Sequence, residues 1–503
     1  MNARYLLMGL ALAWWGVVAA QPLPYQDPAQ SPEARAEDLL ARMTLEEKVG
    51  QMTQVNVTRL MGSGEWDRGP LNEAWLEHIF AKLHVGSILS GGGAAPLPNT
   101  PRAWAEMTNE LQRHALEHSR LGIPLIYGVD AVHGHNNVLG ATIYPHNLGL
   151  AATWNPELAE RIAFATARDV RATGIHWNFA PVADLGRDPR WGRFYETFGE
   201  DPLLAGALVA ASVRGLENGS VAATVKHFLG YGAPNAGRDR APAFIPNRLL
   251  FELHLPPFAA GFEAGARTVM VNSGAVNGVP AHASRHLLTE LLRGKLGFGG
   301  VVVSDWSDIH KLVTVHGVAR DFAHAVEMSI GAGVDMYMVP YDAQTFTATL
   351  LELVRAGRVS EARIDEAAGR ILTLKFALGL FEQPYVDAAE AERIIVEQDR
   401  ALAYEAAVQS ITLLENDGVL PLGEGARRIL VTGPSADSVA NQMGGWTIGW
   451  QGADNPRELP LKRLDVYAAD VSGKGAWHIL PGEYAFEFGG LETRLTLPGE
   501  QLD

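Results

Sequence analysis

From residue 44 to about residue 340, short β-rich runs alternate with stretches whose apolar positions fall three and four apart. The runs are 52–55, 85–90, 124–130, 176–184, 222–228, 268–274, 301–306 and 334–339, the first being the weakest. Helical periodicity fills most of the gaps, as over 157–172 and 284–292. Thr44 and Glu47 have the spacing of a capping box, with Thr44 as the N-cap. Strand–helix alternation implies a parallel sheet. Eight repeats in about 350 residues predict an α/β chain whose core is a closed (β/α)₈ TIM-like barrel. An open doubly wound sheet is the alternative. No Gly-x-Gly-x-x-Gly follows a strand, and Gly91-Gly92-Gly93 lacks the Lys and Ser/Thr of a phosphate loop, so nothing points to a nucleotide.

The run 301–306 shows what these strands carry. Three valines end in Ser304, Asp305 and Trp306. A buried parallel strand stays apolar along its length, so an Asp at its carboxyl end is a cap for the next helix or a chemical group. Other runs end alike. The third ends in Asp130, with His133 beyond it. The fourth ends in Asp184, and its loop carries Arg187, Asp188, Arg190, Trp191 and Arg193. The fifth ends in Lys226 and His227, the sixth in Asn272 and Ser273, and the eighth begins with Asp335. Barrel strand ends converge on one face, where active sites are built. Caps do not explain carboxylates, cations and aromatics from five consecutive units.

The formal charge of −16 argues against nucleic acid and anionic membranes as partners. The absence of cysteine excludes thiol nucleophiles, zinc–thiolate sites and disulfides. Residues 1–20 read as a cleaved signal peptide: Arg4, an apolar run over 6–18, then Val18-Ala19-Ala20 before Gln21. The run is short for a membrane span, so the expectation is an exported protein, periplasmic or extracellular.

No Ser–His–Asp order and no metal-like His cluster is evident. His133 and His135 read as shaping their loop. Charged side chains paired as donors and acceptors, with flat indoles, suit a neutral polyhydroxylated ligand. A carboxylate such as Asp305 beside an anomeric carbon can attack it or stabilise an oxocarbenium ion. Lys226 and Arg193 would hold hydroxyls and keep nearby carboxylates ionised.

Four stretches, in order, resemble glycoside hydrolase family 3, the β-glucosidase and exo-β-glucanase family. They are Tyr127 to Gly134, Asp188 to Arg193, Lys226-His227-Phe228 and Val303-Ser304-Asp305-Trp306. The resemblance implies a retaining exo-hydrolase that releases terminal glucose from β-glucosides and gluco-oligosaccharides. It implies Asp305 as nucleophile and Asp130, Arg193, Lys226 and His227 as the grip on the terminal sugar. Trp306 is then one wall of the aglycone side, and Trp446 and Trp450 are walls brought by a later loop, with packing between domains as the competing role for that pair. No cofactor or metal is implied, and oligomeric state is left open.

The expected layout is a barrel over 21–385, a linker and helix over 386–410, part of an α/β sandwich over 411–456 with its first strand at 428–432, and a β-rich tail over 457–503. The family's acid/base Glu usually lies well inside the second domain. The residues after Pro456 are too few to complete a six-stranded sandwich. The tail reads as the end of a fibronectin type III-like domain, Tyr484, Phe486 and Phe488 alternating along a strand, or as a degenerate acid/base segment with Glu483 as donor. The loop 230–239 has Asp239 but not the neighbouring His of the family's single-domain members. Two further readings stand beside a β-glucosidase: a sugar-binding descendant that lacks the acid, and a β-xylosidase of the same family.

Overall fold

The computed structural model describes residues 23–61, 69–396, 399–423, 435–436, 438–452, 478–479, 482–488, 491–497 and 500–501. The expected signal peptide and the strand expected at 428–432 lie outside them. Eight parallel strands form the core: β1 (Thr53–Asn56), β2 (Ser87–Ser90), β3 (Ile126–Val129), β4 (Trp177–Asn178), β5 (Ala222–Phe228), β6 (Thr268–Val271), β7 (Val301–Val303) and β8 (Tyr337–Met338). Each pairs with the next, β8 pairs with β1, and a parallel bridge from Val303 to Met336 closes the ring. This is the (β/α)₈ barrel that the alternation predicts.

The weakest expected strand, β1, is a full member, paired on both sides. Two of its polar side chains donate in the sheet and to the helix before it: Gln54 Nε2 to Ser87 Oγ at 2.8 Å and Thr53 Oγ1 to Val49 O at 2.9 Å. The fourth run is regular only over Trp177–Asn178, because Pro181 brings no N–H to the ladder. Pairing resumes at a bridge from Val182 to Lys226. The Trp177 indole is fully buried and donates to Thr224 and Thr268 hydroxyls at 2.8 and 3.0 Å, so the core carries no unpaired N–H there.

Helices cover the strands with the start signals expected of them. Thr44 and Glu47 form the reciprocal capping box, at 3.2 and 2.9 Å. Pro156–Ala172 begins on the Asn155 cap, and the helix expected at 284–292 spans His286–Lys295. Beyond the barrel, Glu361–Ala377 packs on Pro32–Leu40, Ala388–Val396 on Pro101–His118, and Arg400–Ser410 on Asn147–Ala151. Residues 411–423 form no helix or strand, with Leu414 92% exposed. The short helix Val439–Met443 leads into the loop 444–452. In the tail, Gly482–Phe488 and Leu491–Leu497 form an antiparallel pair, with Glu483 opposite Thr496.

Asp335 corrects one expectation. It precedes β8, so it sits at the amino end of the barrel, away from the strand tips that build the cavity. It is fully buried and takes hydrogen bonds from Arg293 (2.6 Å), Arg363 (2.8 Å), Arg370 (3.0 Å) and the Val302 amide (3.0 Å). It ties β7 and β8 to two helices. At the same end Lys375 is fully buried and donates to Gln51 Oε1 (2.6 Å), Gly86 O (2.8 Å) and Pro124 O (2.7 Å), just ahead of β2 and β3.

Candidate active site

The carboxyl ends of the strands surround a cavity of about 140 Å³. Asp130, Arg193, Lys226, His227, Asp305, Trp306, Trp446 and Trp450 line it, so eight of the nine residues given a catalytic or sugar-binding role from the sequence meet in one place. The ninth, Glu483, belongs to the tail strand Gly482–Phe488, and its side chain lies outside the described residues.

Asp305 follows β7 after one residue, Ser304. Its Oδ1 accepts from the Trp306 amide at 2.6 Å and its Oδ2 from Ser273 Oγ at 2.7 Å. Its own amide donates to His282 Nε2 at 3.2 Å, which fixes the backbone beneath the carboxylate. Burial opposes a charge there, but His227, Arg240, Lys311 and Arg193 outweigh it and hold the carboxyl far below the usual carboxylate range. Asp305 is therefore an ionised carboxylate with fixed orientation at the cavity floor.

The neighbouring strand ends supply matched pairs. Lys226 Nζ meets Asp130 Oδ1 at 2.7 Å. Burial raises the pKa of Asp130 against the pull of Lys226. His227 Nδ1 lies 2.7 Å from Asp184 Oδ2, which also takes the His227 amide at 3.0 Å. That pairing leaves Nε2 facing the cavity, 3.8 Å from Asp305 Oδ2. Burial pushes the Asp184 carboxyl up to about 7 and drives His227 well below its ordinary value. Arg193 is fixed by a two-pronged pair with Glu196, at 2.8 and 2.7 Å.

Gly91-Gly92-Gly93 proves to be a seat for aromatics. A Cβ on Gly91 would stand 2.2 Å from the Trp306 ring, so only glycine lets that indole lie on the chain. Gly92 O accepts from the Trp450 amide at 2.7 Å, and Gly93 leaves room for Ile448 O. The Trp446 ring is 5.6 Å from Lys226 Nζ and 6.2 Å from the Trp450 ring. The loop 444–452 thus reaches the barrel mouth with both indoles at the cavity.

Several participants carry no sequence signal. Arg240 lines the cavity from the loop after β5, and its Nη1 pairs with Asp239 at 2.7 Å. Met270 and Met338 line it from β6 and β8. His282, Asp308 and Lys311 back the Asp305–Ser273 pair, Lys311 Nζ standing 2.5 Å from Asp308 Oδ1. Asp239 accepts from Trp191 Nε1 and the Tyr231 hydroxyl, at 3.0 and 2.6 Å, and so braces the loop. His135 does shape its loop, through Thr173 Oγ1 at 2.9 Å, whereas His133 also reaches the loop 444–452. Among the described residues, Glu73, Glu110 and His114 are near enough to share a cation. They do not line the cavity, and Arg113 Nη2 lies 2.9 Å from His114 Nε2.

A closed barrel with an ionised carboxylate, paired cations and indoles at its strand tips is the frame of a carbohydrate-active protein. Residues 44–374 match the N-terminal domain model of glycosyl hydrolase family 3, and the chain belongs to that family. It is 45% identical over 446 residues to a lysosomal beta glucosidase of Dictyostelium discoideum, covering 84% of this chain and 54% of that protein. It is 33% identical to a periplasmic beta-glucosidase of Salmonella typhimurium, over 83% and 52% of the two chains. The structure of an exo-1,3/1,4-beta-glucanase from a Pseudoalteromonas species superposes with a TM-score of 0.75 at 36% identity, over 85% of this chain and 53% of that one. The beta-glucosidase of Listeria innocua in complex with glucose gives 0.70 at 32%, over 84% and 57%. The chain spans about half the length of the curated relatives it matches.

Proposed function

We propose that the protein is an exported, exo-acting, retaining β-glycoside hydrolase that removes terminal β-D-glucose, with Asp305 as nucleophile. One observation carries this reading: the ionised, immobilised Asp305 carboxylate on the floor of a small cavity walled by charged side chains and indoles. At about 140 Å³ the cavity is smaller than the roughly 300–1,000 Å³ of drug-sized sites, which suits one sugar ring at a chain end. Glucose and laminaribiose bound to the Listeria innocua relative support a glucose-type ligand. The periplasmic and lysosomal relatives support export.

In the proposed reaction an Asp305 oxygen attacks the anomeric carbon. The bond to the leaving oxygen breaks, and that oxygen keeps the electron pair and takes a proton from an acid. Water then attacks the glycosyl ester, returns a proton to that group and frees Asp305. Asp130, Lys226, His227, Arg193 and Arg240 hold the sugar hydroxyls, and Trp306, Trp446 and Trp450 form the flat walls. Glu483 is the sequence's candidate for the acid.

The test compares a dinitrophenyl β-glucoside, whose leaving group departs unprotonated, with cellobiose, whose alcohol needs a proton. Cleavage of both by the wild-type chain, abolished in Asp305→Ala, is expected. A Glu483→Gln variant that keeps the aryl glucoside and loses cellobiose identifies the donor. Turnover that survives Asp305→Ala overturns the nucleophile assignment. Glucose binding without any turnover favours the sugar-binding reading.

A further inference from the structure

The loop that brings the two indoles to the cavity is held by a pair of histidines. His133 and His146 stack with ring centroids 4.1 Å apart and planes 21° apart. His146 Nε2 donates to Gly445 O at 2.8 Å. His133 donates through Nδ1 to Tyr144 O at 2.8 Å, and its Nε2 faces Thr447 Oγ1 at 3.1 Å and Trp446 O at 3.2 Å. Tyr195 packs its ring edge-on against His146 at 5.0 Å. These histidines therefore touch residues 445, 446 and 447, the turn that points Trp446 inward.

That turn holds itself only in part, through the Trp446 amide on Trp450 O at 2.9 Å and the Gly449 amide on Thr447 O at 2.7 Å. Trp446 and Ile448 both have left-handed backbone angles, φ +55° and +58°, which side-chain-bearing residues rarely adopt. Gly444, at φ +69°, passes so close to His146 that a Cβ there would lie 2.9 Å from its Cε1. A strained turn persists when its surroundings over-determine it. Here the surroundings are the two rings, Asn136 O accepting from the Ile448 amide at 2.8 Å, and Gly92 O accepting from the Trp450 amide. Burial, with the mutual repulsion of the pair, lowers His133 to about 3, and burial lowers His146 as well. The stack is thus made of two neutral rings.

We propose that His146, braced by His133, is a positioning residue. It holds the turn 444–448 so that Trp446 and Trp450 close the cavity, and thereby sets how tightly the site grips its sugar. Neither histidine lines the cavity, so the effect passes through the indoles. The part concerning grip rests on the hydrolase reading above; the part concerning the turn does not.

The experiment uses the full chain with His146→Ala and His146→Gln, glutamine offering an amide N–H near the position of Nε2. Hydrogen exchange over 444–452 is read first. Glucose affinity by calorimetry, and kcat and KM on the dinitrophenyl glucoside, are read second. Losing one net hydrogen bond is worth about a factor of ten in an equilibrium constant. His146→Ala should speed exchange across 444–452 about tenfold and raise the glucose Kd and KM by a similar factor, with kcat within about threefold. His146→Gln should recover most of each loss. Unchanged exchange at 444–452 overturns the clasp. Faster exchange with unaltered Kd and KM overturns its role in grip, as does a loss confined to kcat. If the wild-type chain neither binds glucose nor releases dinitrophenol, the hydrolase reading fails, while the exchange measurement still judges the clasp.

Discussion

The Ser273 hydroxyl stands between two carboxylates, 2.7 Å from Asp305 Oδ2 and close to Asp308 Oδ2. It brings the end of β6 against the end of β7 and fixes the rotation of the proposed nucleophile. A hydrogen bond to a charged group is worth about 1.5–3 kcal/mol, or roughly 10–100-fold in rate where the reaction depends on it. Ser273→Ala should therefore slow the dinitrophenol burst by about tenfold or more, and Ser273→Thr should restore most of it. An unaltered burst rate in Ser273→Ala would show that Asp305 needs no such support.

The acid side of the pH profile follows from the charges around Asp305. The net pull of His227, Arg240, Lys311 and Arg193 over burial places its folded pKa below the ordinary 3.8. The carboxylate therefore stays ionised as pH falls through the usual range, and its contribution to stability is lost only below that range. With an aryl glucoside, Asp305 itself should give the burst rate no inflection from about pH 7 down to about pH 5, whereas Asp184, pushed up to about 7, titrates at the top of that window. An inflection in that window that disappears in Asp305→Glu, which keeps a carboxylate, would contradict this assignment.

Gly91→Ala tests the seat beneath Trp306. The added methyl would lie 2.2 Å from the indole, so ring or backbone must move. Overpacking of this kind costs about 1–3 kcal/mol. Thermal denaturation should show the loss, and calorimetry should show weaker glucose binding, because Trp306 lines the cavity. A variant with wild-type melting and affinity would mean that the ring has other room.

Lys375→Met probes the far end of the barrel. The substitution leaves Gln51 Oε1 and Pro124 O without their buried donor, whereas Gly86 O keeps the Ile126 amide at 3.1 Å. An unsatisfied buried acceptor costs about 1–3 kcal/mol, so a loss of about 3 kcal/mol or more is expected in urea unfolding. Activity per folded molecule should persist. An unchanged urea midpoint would show that solvent reaches these carbonyls.

The strand-end rule works where side chains directly follow an apolar run. Asp130 follows β3, Asp305 comes just after β7, Lys226 and His227 are among the last residues of β5, Asp184 follows the Val182 bridge, and β5 matches its expected span residue for residue. Asp335 misleads because it stands before its run, and polarity alone does not say which end of a strand a residue occupies; its order relative to Met336–Val339 does. Arg240 escapes notice because the loop after β5 has no period, and its approach to the cavity depends on Asp239, Tyr231 and Trp191 meeting in space. Trp446 and Trp450 emerge through family likeness alone, since nothing local in their loop encodes docking on Gly92 and Asn136.

The cavity has its floor on strands made early in the chain and part of its wall on residues 446 and 450, made much later. Its completion is consequently a late event during synthesis. A chain made only as far as β8 carries every barrel strand yet lacks two of the indoles at the cavity, Trp450 and Trp446, the latter 6% exposed in the finished fold.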